Sequence, residues 1–167
     1  LAAAGEPFGL GHGGYFAINS LRMEKGYRHW SHDIGEEDTP LEGGVGFAVA
    51  FDKPGGFIGR DALLRQKAQG KLRRRLVQFK LKDPVAPFIY HNEPVWAGDR
   101  IVGSVTSGAY GFRVGASLGM GYVECPEGVD QAYLDARDLE VEVAWKRYPV
   151  EAQFKPWYDP AGLRIRA

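Results

Sequence analysis

The chain's 167 residues suffice for one domain with a real core or for two small pieces, and a composition of 44% hydrophobic and 13% aromatic residues commits it to folding rather than disorder. Lys plus Arg (21) equals Asp plus Glu (21), so no global field draws nucleic acid or an anionic membrane, and neither is expected as a partner. No apolar run approaches the roughly 20 residues of a bilayer span, no basic segment precedes an apolar one as in a secretion signal, and the single Cys125 cannot form an internal disulfide, which favours a reducing compartment.

The chain opens Leu1-Ala2-Ala3-Ala4 without Met, and these residues read as the tail of a helix that Gly5 ends. A glycine-rich loop, Gly5 to Gly14, follows. Tyr15, Ile18, Leu21 and Arg22 are then spaced as on one helix face, which predicts a short helix over Tyr15–Glu24. Glu36 to Pro40 is an acidic turn. Val45, Phe47, Val49 and Phe51 alternate, which predicts a strand there. Asp52 to Gly56 is a turn, and Phe57 to Ala68 has the period of a helix stopped by Gly70.

From Lys71 the pattern turns to β. Val77, Phe79 and Leu81 oppose Leu76, Gln78 and Lys80; further strands are expected over Glu93–Ala97, Arg100–Ser107, Ser117–Val123, Glu140–Trp145 and Tyr148–Lys155. Ala97-Gly98-Asp99-Arg100 is a hairpin turn, and Thr106-Ser107-Gly108 is read as turning a strand through side-chain hydrogen bonds. The expected class is α+β: an α/β piece over residues 1–69, and a small antiparallel barrel over residues 70–167 whose short strands need closure to hide their edges. The first piece is a poor candidate for independent folding, and the chain is expected to continue upstream.

Several motifs invite chemistry. His29 and His32 form H-x-x-H beside Asp33, a spacing that can seat two imidazoles on a metal, but hydrogen-bonding or packing roles are favoured because no further ligand is in sight. Gly9, Gly11 and Gly14 spell G-x-G-x-x-G without the preceding strand a dinucleotide fingerprint needs. Lys71 to Arg75 is a basic run read as a solvated linker. Cys125 has no His or Asn set of a catalytic thiol and reads as a half-buried small residue.

The dense run Asn19 to Ile34 starts a family resemblance. Asn19-Ser20-Leu21-Arg22-Met23-Glu24-Lys25-Gly26, His32-Asp33, Thr39-Pro40-Leu41-Glu42-Gly43-Gly44 and Gly56 to Leu64 resemble the folate-binding proteins related to the glycine-cleavage T-protein. Arg74 to Val77, Gly103 to Gly108 and Gly119 to Val123 extend the likeness over nearly the whole chain. Lys25 to Trp30 and Tyr148-Pro149-Val150 look most like the C-terminal part of dimethylglycine and sarcosine dehydrogenases.

The resemblance implies the folate-handling portion of a flavin-dependent N-methylglycine dehydrogenase, which passes the released one-carbon unit to tetrahydrofolate. FAD is then expected on an N-terminal domain outside this chain. The partners are the upstream half of the folate domain, the flavin domain and a small methylamine substrate. The compartment is the bacterial cytoplasm or the mitochondrial matrix. The family's catalytic Asp lies upstream, so this chain holds no catalytic residue and is expected to be silent alone. A folate-contacting Arg of the T-proteins falls on Ile18, which weakens a glycine-cleavage role. The cofactor-side residues carried over are Phe47, Arg22 and Trp30. Phe47 is either a pterin wall or strand core. Arg22 either bonds a folate oxygen or, as favoured, pairs with Glu24 or Glu42. Trp30 fits a domain-interface anchor better than a ligand wall. The alternative is a stand-alone aminomethyltransferase-like folate-binding or structural module without its own catalysis.

Overall fold

The structure, a computed structural model, describes residues 1–166. Six antiparallel strands close a barrel: β1 (Arg74–Leu81), β2 (Pro94–Ala97), β3 (Arg100–Gly111), β4 (Ala116–Glu124), β5 (Leu139–Val143) and β6 (Lys146–Gln153). Their order around the barrel is β1-β4-β3-β2-β5-β6, and β6 pairs back onto β1 to complete it. Closure leaves the short strands no long free edge, the reason such a pattern needs a barrel at all.

The period-2 pattern decides what fills the interior. Val77, Phe79 and Leu81 of β1 meet Val95, Val105, Val123, Val141 and Val150 in one core cluster. The opposite face of β1 is covered too: Leu76 joins Leu118, Met120 and Tyr122 beneath Met23. β4 is therefore buried along all its residues but the last. Glycines let β3 and β4 approach closely. A Cβ on Gly103 would sit 1.9 Å from the Tyr122 carbonyl oxygen, and one on Gly121 would sit 2.1 Å from that of Ser104.

The described residues form four α-helices, α1 (Ala2–Gly5), α2 (Tyr15–Lys25), α3 (Arg60–Ala68) and α4 (Gln131–Asp135), of which α2 and α4 pack on the barrel. Gly26, with φ of 64°, ends α2 in the left-handed region that a glycine adopts freely. α2 buries Ser20, Met23 and Glu24 against the barrel. The face expected from Tyr15, Ile18 and Leu21 is instead turned outward, at 70%, 61% and 59% exposure. α3 starts only at Arg60 rather than Phe57, because Gly59 takes a φ of 88°.

Two further expectations are corrected. The alternating segment from Val45 to Phe51 is not a strand: it holds one 3-10 turn, Gly46–Ala48, within irregular chain. No neighbouring edge pairs with it, and alternation without a partner edge makes no sheet. Thr106-Ser107-Gly108 does not turn β3 either. It runs inside the strand, where the pairing jumps from Val105–Gly121 to Ser107–Met120 and leaves Thr106 as a bulge. α2 lies directly on β3 and β4, so the segments on either side of Gly70 pack against one another.

Candidate functional site

The bulge matters because of where it aims Thr106. Its hydroxyl approaches Asp33 Oδ1 at 2.6 Å and the Met120 carbonyl at 3.0 Å. Asp33 Oδ2 accepts from Arg22 Nη1 at 2.8 Å and from the His29 backbone N–H at 2.8 Å. The Asp33 side chain is fully buried and that of Arg22 is 14% exposed. A carboxylate in this setting is tolerable only because three polar groups meet it. Arg22 is in turn held by Asn19 Oδ1, which accepts from Nε at 3.0 Å, by Ser107 Oγ, which accepts from Nη2 at 3.0 Å, and by the Tyr27 carbonyl. One helix, one loop and one bulged strand thus converge on a single ion pair.

Over this ion pair lies a cavity of about 170 Å³, lined among others by Arg22, His29, His32, His91, Thr106 and Ser107. The His29 and His32 rings lie 4.7 Å apart, centroid to centroid. Among the described residues no group of three or more His, Cys, Asp or Glu side chains is placed to hold a metal ion.

A second polar cluster joins the acidic turn to β1. Arg74 Nη1 donates to Asp38 Oδ1 and its guanidinium stacks 3.4 Å from the Tyr122 ring centroid. Burial works against ionisation of Asp38, but the Arg74 hydrogen bond and the Gly35 N–H outweigh it and hold the carboxyl below its usual value. Burial, followed by the Asp38 charge, pushes the Tyr122 phenol well up. Glu24 is the second buried carboxylate beside Asp33. It accepts from the backbone N–H groups of Arg113 and Val114 and so fixes the β3–β4 hairpin to α2.

The residues singled out in the sequence are dispersed. Arg22 lines the cavity over Asp33, Trp30 lines another beside Asp38 and Arg74, and Phe47 lines neither. Phe47 is 88% exposed, so it is not strand core. Arg22 does pair, but with Asp33 rather than with Glu24 or Glu42: Glu24 faces the hairpin, and Glu42 Oε2 accepts from the Thr39 N–H and hydroxyl. Trp30 is 65% exposed. The basic run is no free linker, for Arg74 and Arg75 stand in β1, Arg75 stacks on Phe154, and Lys71 pairs with Asp130 at 2.6 Å. Cys125 is buried, with Sγ 2.9 Å from Glu127 Oε2. Asp33 and Thr106 escaped the sequence reading as a pair. The only local hint was a carboxylate wedged in the aromatic run His29 to Ile34.

Comparison with known proteins assigns the fold to a family. The model of the glycine cleavage T-protein C-terminal barrel domain matches residues 74–159, and that of the GCVT N-terminal domain matches residues 1–53. The chain belongs to the glycine-cleavage T-protein family, and its barrel is that family's C-terminal domain. It is 40% identical over 163 residues to 4-methylaminobutanoate oxidase (formaldehyde-forming) of Paenarthrobacter nicotinovorans, a match that covers 98% of this chain and 19% of that protein. It is 39% identical to human mitochondrial sarcosine dehydrogenase over 98% of the chain and 18% of the relative. The chain therefore spans about a fifth of the length of these relatives. A crystal structure of glycine cleavage system aminomethyltransferase T from Bartonella henselae shares the fold with a TM-score of 0.71 at 23% identity, covering 86% of this chain and 38% of that one. No helix among the described residues is long and apolar enough to cross a membrane.

Proposed function

We propose that this chain is the folate-handling portion of a flavin-dependent N-methylglycine dehydrogenase, acting on dimethylglycine or sarcosine. The observation that carries the reading is the 39% identity to sarcosine dehydrogenase across 98% of the chain. The exposed apolar side chains add to it. Tyr15, Ile18 and Leu21 on α2, with Trp30 beyond it, present apolar area that an upstream half of the folate domain would cover. FAD belongs to a flavin domain elsewhere in the same polypeptide. The residues expected here fit a folate in different degrees. Phe47 offers an exposed flat face to a pterin ring. Arg22 has four of its N–H groups engaged and can offer one more. Trp30 acts as the interface anchor. Bound tetrahydrofolate supplies the acceptor for the one-carbon unit released by N-demethylation; this chain contributes binding surface and orientation, and no reacting group.

The test is a titration of tetrahydrofolate into the full-length protein that contains this chain, beside its Phe47→Ala variant. The wild type is expected to bind, and the variant to lose about 1–3 kcal/mol, the scale of burying one large apolar side chain. Equal affinities would remove Phe47 from the site. An absence of binding by the wild type would overturn the reading as a whole.

A further inference from the structure

We infer that the cavity above the Arg22–Asp33 pair is a carboxylate-binding site. The inference starts from how hydrogen-bonding capacity is sorted around it. Asp33 is the one carboxylate in the network, and it is sealed beneath the cavity, its side chain without exposure and its oxygens taken by Arg22, Thr106 and the His29 N–H. The cavity lining itself contains no Asp or Glu.

The acceptors nearest the cavity are also spent on Arg22. Asn19 Oδ1 accepts from Nε, so the amide turns its NH₂ group away from the guanidinium, and Ser107 Oγ accepts from Nη2, so its own proton is free to donate. Arg22 gives four N–H bonds out of a possible five, and the fifth, on Nη2, has no partner among the described residues. The imidazoles of His29, His32 and His91 line the cavity as well, and each neutral ring brings one N–H beside one acceptor nitrogen.

The unpartnered Arg22 N–H and the free Ser107 proton, in a lining without any carboxylate, are matched by a ligand that accepts. A carboxylate does so with two oxygens, and hydrogen bonds to an ionised acceptor are the strong kind. The cavity, about 170 Å³, has room for a carboxylate arm. The site stands on this chain's geometry alone. Only the identity of the arm rests on the proposed function, under which it is either the glutamyl tail of a folate or a free small carboxylate.

The test follows the ring signals of His29, His32 and His91 by NMR in the full-length protein that contains this chain, with ring-labelled histidine, while sodium glutarate, or p-aminobenzoyl-glutamate as a folate tail without its pterin, is added at constant ionic strength. Shifts with both probes are expected if a free carboxylate suffices, and shifts with p-aminobenzoyl-glutamate alone if the tail is the ligand. Ser107→Ala and His91→Ala, which leave the Arg22–Asp33 pair in place, should each weaken the binding about tenfold, the worth of one hydrogen bond to a charged group. Silent ring signals with both probes, or binding that neither substitution weakens, would overturn the site. Neither outcome would bear on pterin binding, which the Phe47 titration reads separately.

Discussion

Asp33 and Thr106 stand 73 residues apart in sequence, yet the Thr106 hydroxyl lies 2.6 Å from Asp33 Oδ1. The contact exists because a single extra residue in β3 turns Thr106 toward the loop after α2. Through it the α2 segment and the barrel share one buried ion pair, so the two sequence segments have a common point of failure.

Removing the acid should expose that dependence. Asp33→Ala leaves the Arg22 guanidinium nearly buried and without its counter-charge, and stability should fall by about 3–5 kcal/mol. Thr106→Val removes only the hydroxyl and should cost about 1–3 kcal/mol. Denaturant melts of the two single variants and the double variant form a cycle; strict additivity of the two losses would contradict a shared network.

Glu24 makes a second cross-connection, and it can be read residue by residue. Glu24→Ala leaves the Arg113 and Val114 amides at the β3–β4 turn without their acceptor. Water can reach the exposed Arg113 segment, so the loss should be about 1–3 kcal/mol in total, carried by the half-buried Val114 amide. Hydrogen exchange should show loss of protection at these two amides before any change in β5 or β6. Uniform loss over the barrel would mean that Glu24 does not anchor this hairpin locally.

The barrel was legible because its signal is local and repetitive. Val77, Phe79 and Leu81 announce a strand with one apolar face, and β6 and β4 confirm that periodicity by pairing with it. The same signal misled over Val45 to Phe51, whose alternation has no partner strand and whose Phe47 points into solvent. Periodicity reports which faces differ, not whether an edge is available. The Arg22 partner was misjudged for a related reason: Glu24 and Glu42 are near in sequence or motif, while Asp33 is brought in by a loop whose backbone turns at Ser31, with φ of 67°. The bulge at Thr106 leaves no mark in composition, so the cavity it borders could not be drawn from the sequence.

Acid should act on the Asp38–Arg74 contact. The folded state holds the Asp38 carboxyl below its usual value, so folding favours the ionised form. That stability is fully present above the ordinary carboxylate range and is lost as pH falls through the depressed value. Asp38→Asn should therefore flatten the acid limb of a plot of melting temperature against pH. An unchanged limb would assign the acid sensitivity to other carboxylates.

The close approach of β3 and β4 predicts a sharp contrast between glycines. Gly103→Ala would drive a Cβ into the Tyr122 carbonyl, and neither backbone can withdraw without breaking the ladder between Gly103 and Val123. The variant should fail to fold or lose most of its stability. Gly98, at the tip of the β2–β3 hairpin, has a φ of 60° and open space around its missing Cβ. Gly98→Ala should cost only the left-handed backbone term, about 1–2 kcal/mol. Comparable losses in the two variants would show that strand proximity is not what requires Gly103.

The hairpin joining β5 and β6 offers room for improvement. Its two loop residues, Ala144 and Trp145, have φ of 51° and 66°, a conformation that two-residue hairpin loops favour with Asn-Gly. Trp145 is 96% exposed, so it gains almost nothing from burial to offset the strain. Replacing the pair, Ala144→Asn with Trp145→Gly, should relieve the left-handed strain at both positions and fit the twist of β5 and β6. The more flexible unfolded chain that glycine brings takes back part of the gain, typically about 0.4–1 kcal/mol. A net stabilisation of about 1–2 kcal/mol is expected, read as a higher denaturant midpoint with an unchanged slope. A lower midpoint would mean that Trp145 makes a contact in solution that outweighs its backbone strain.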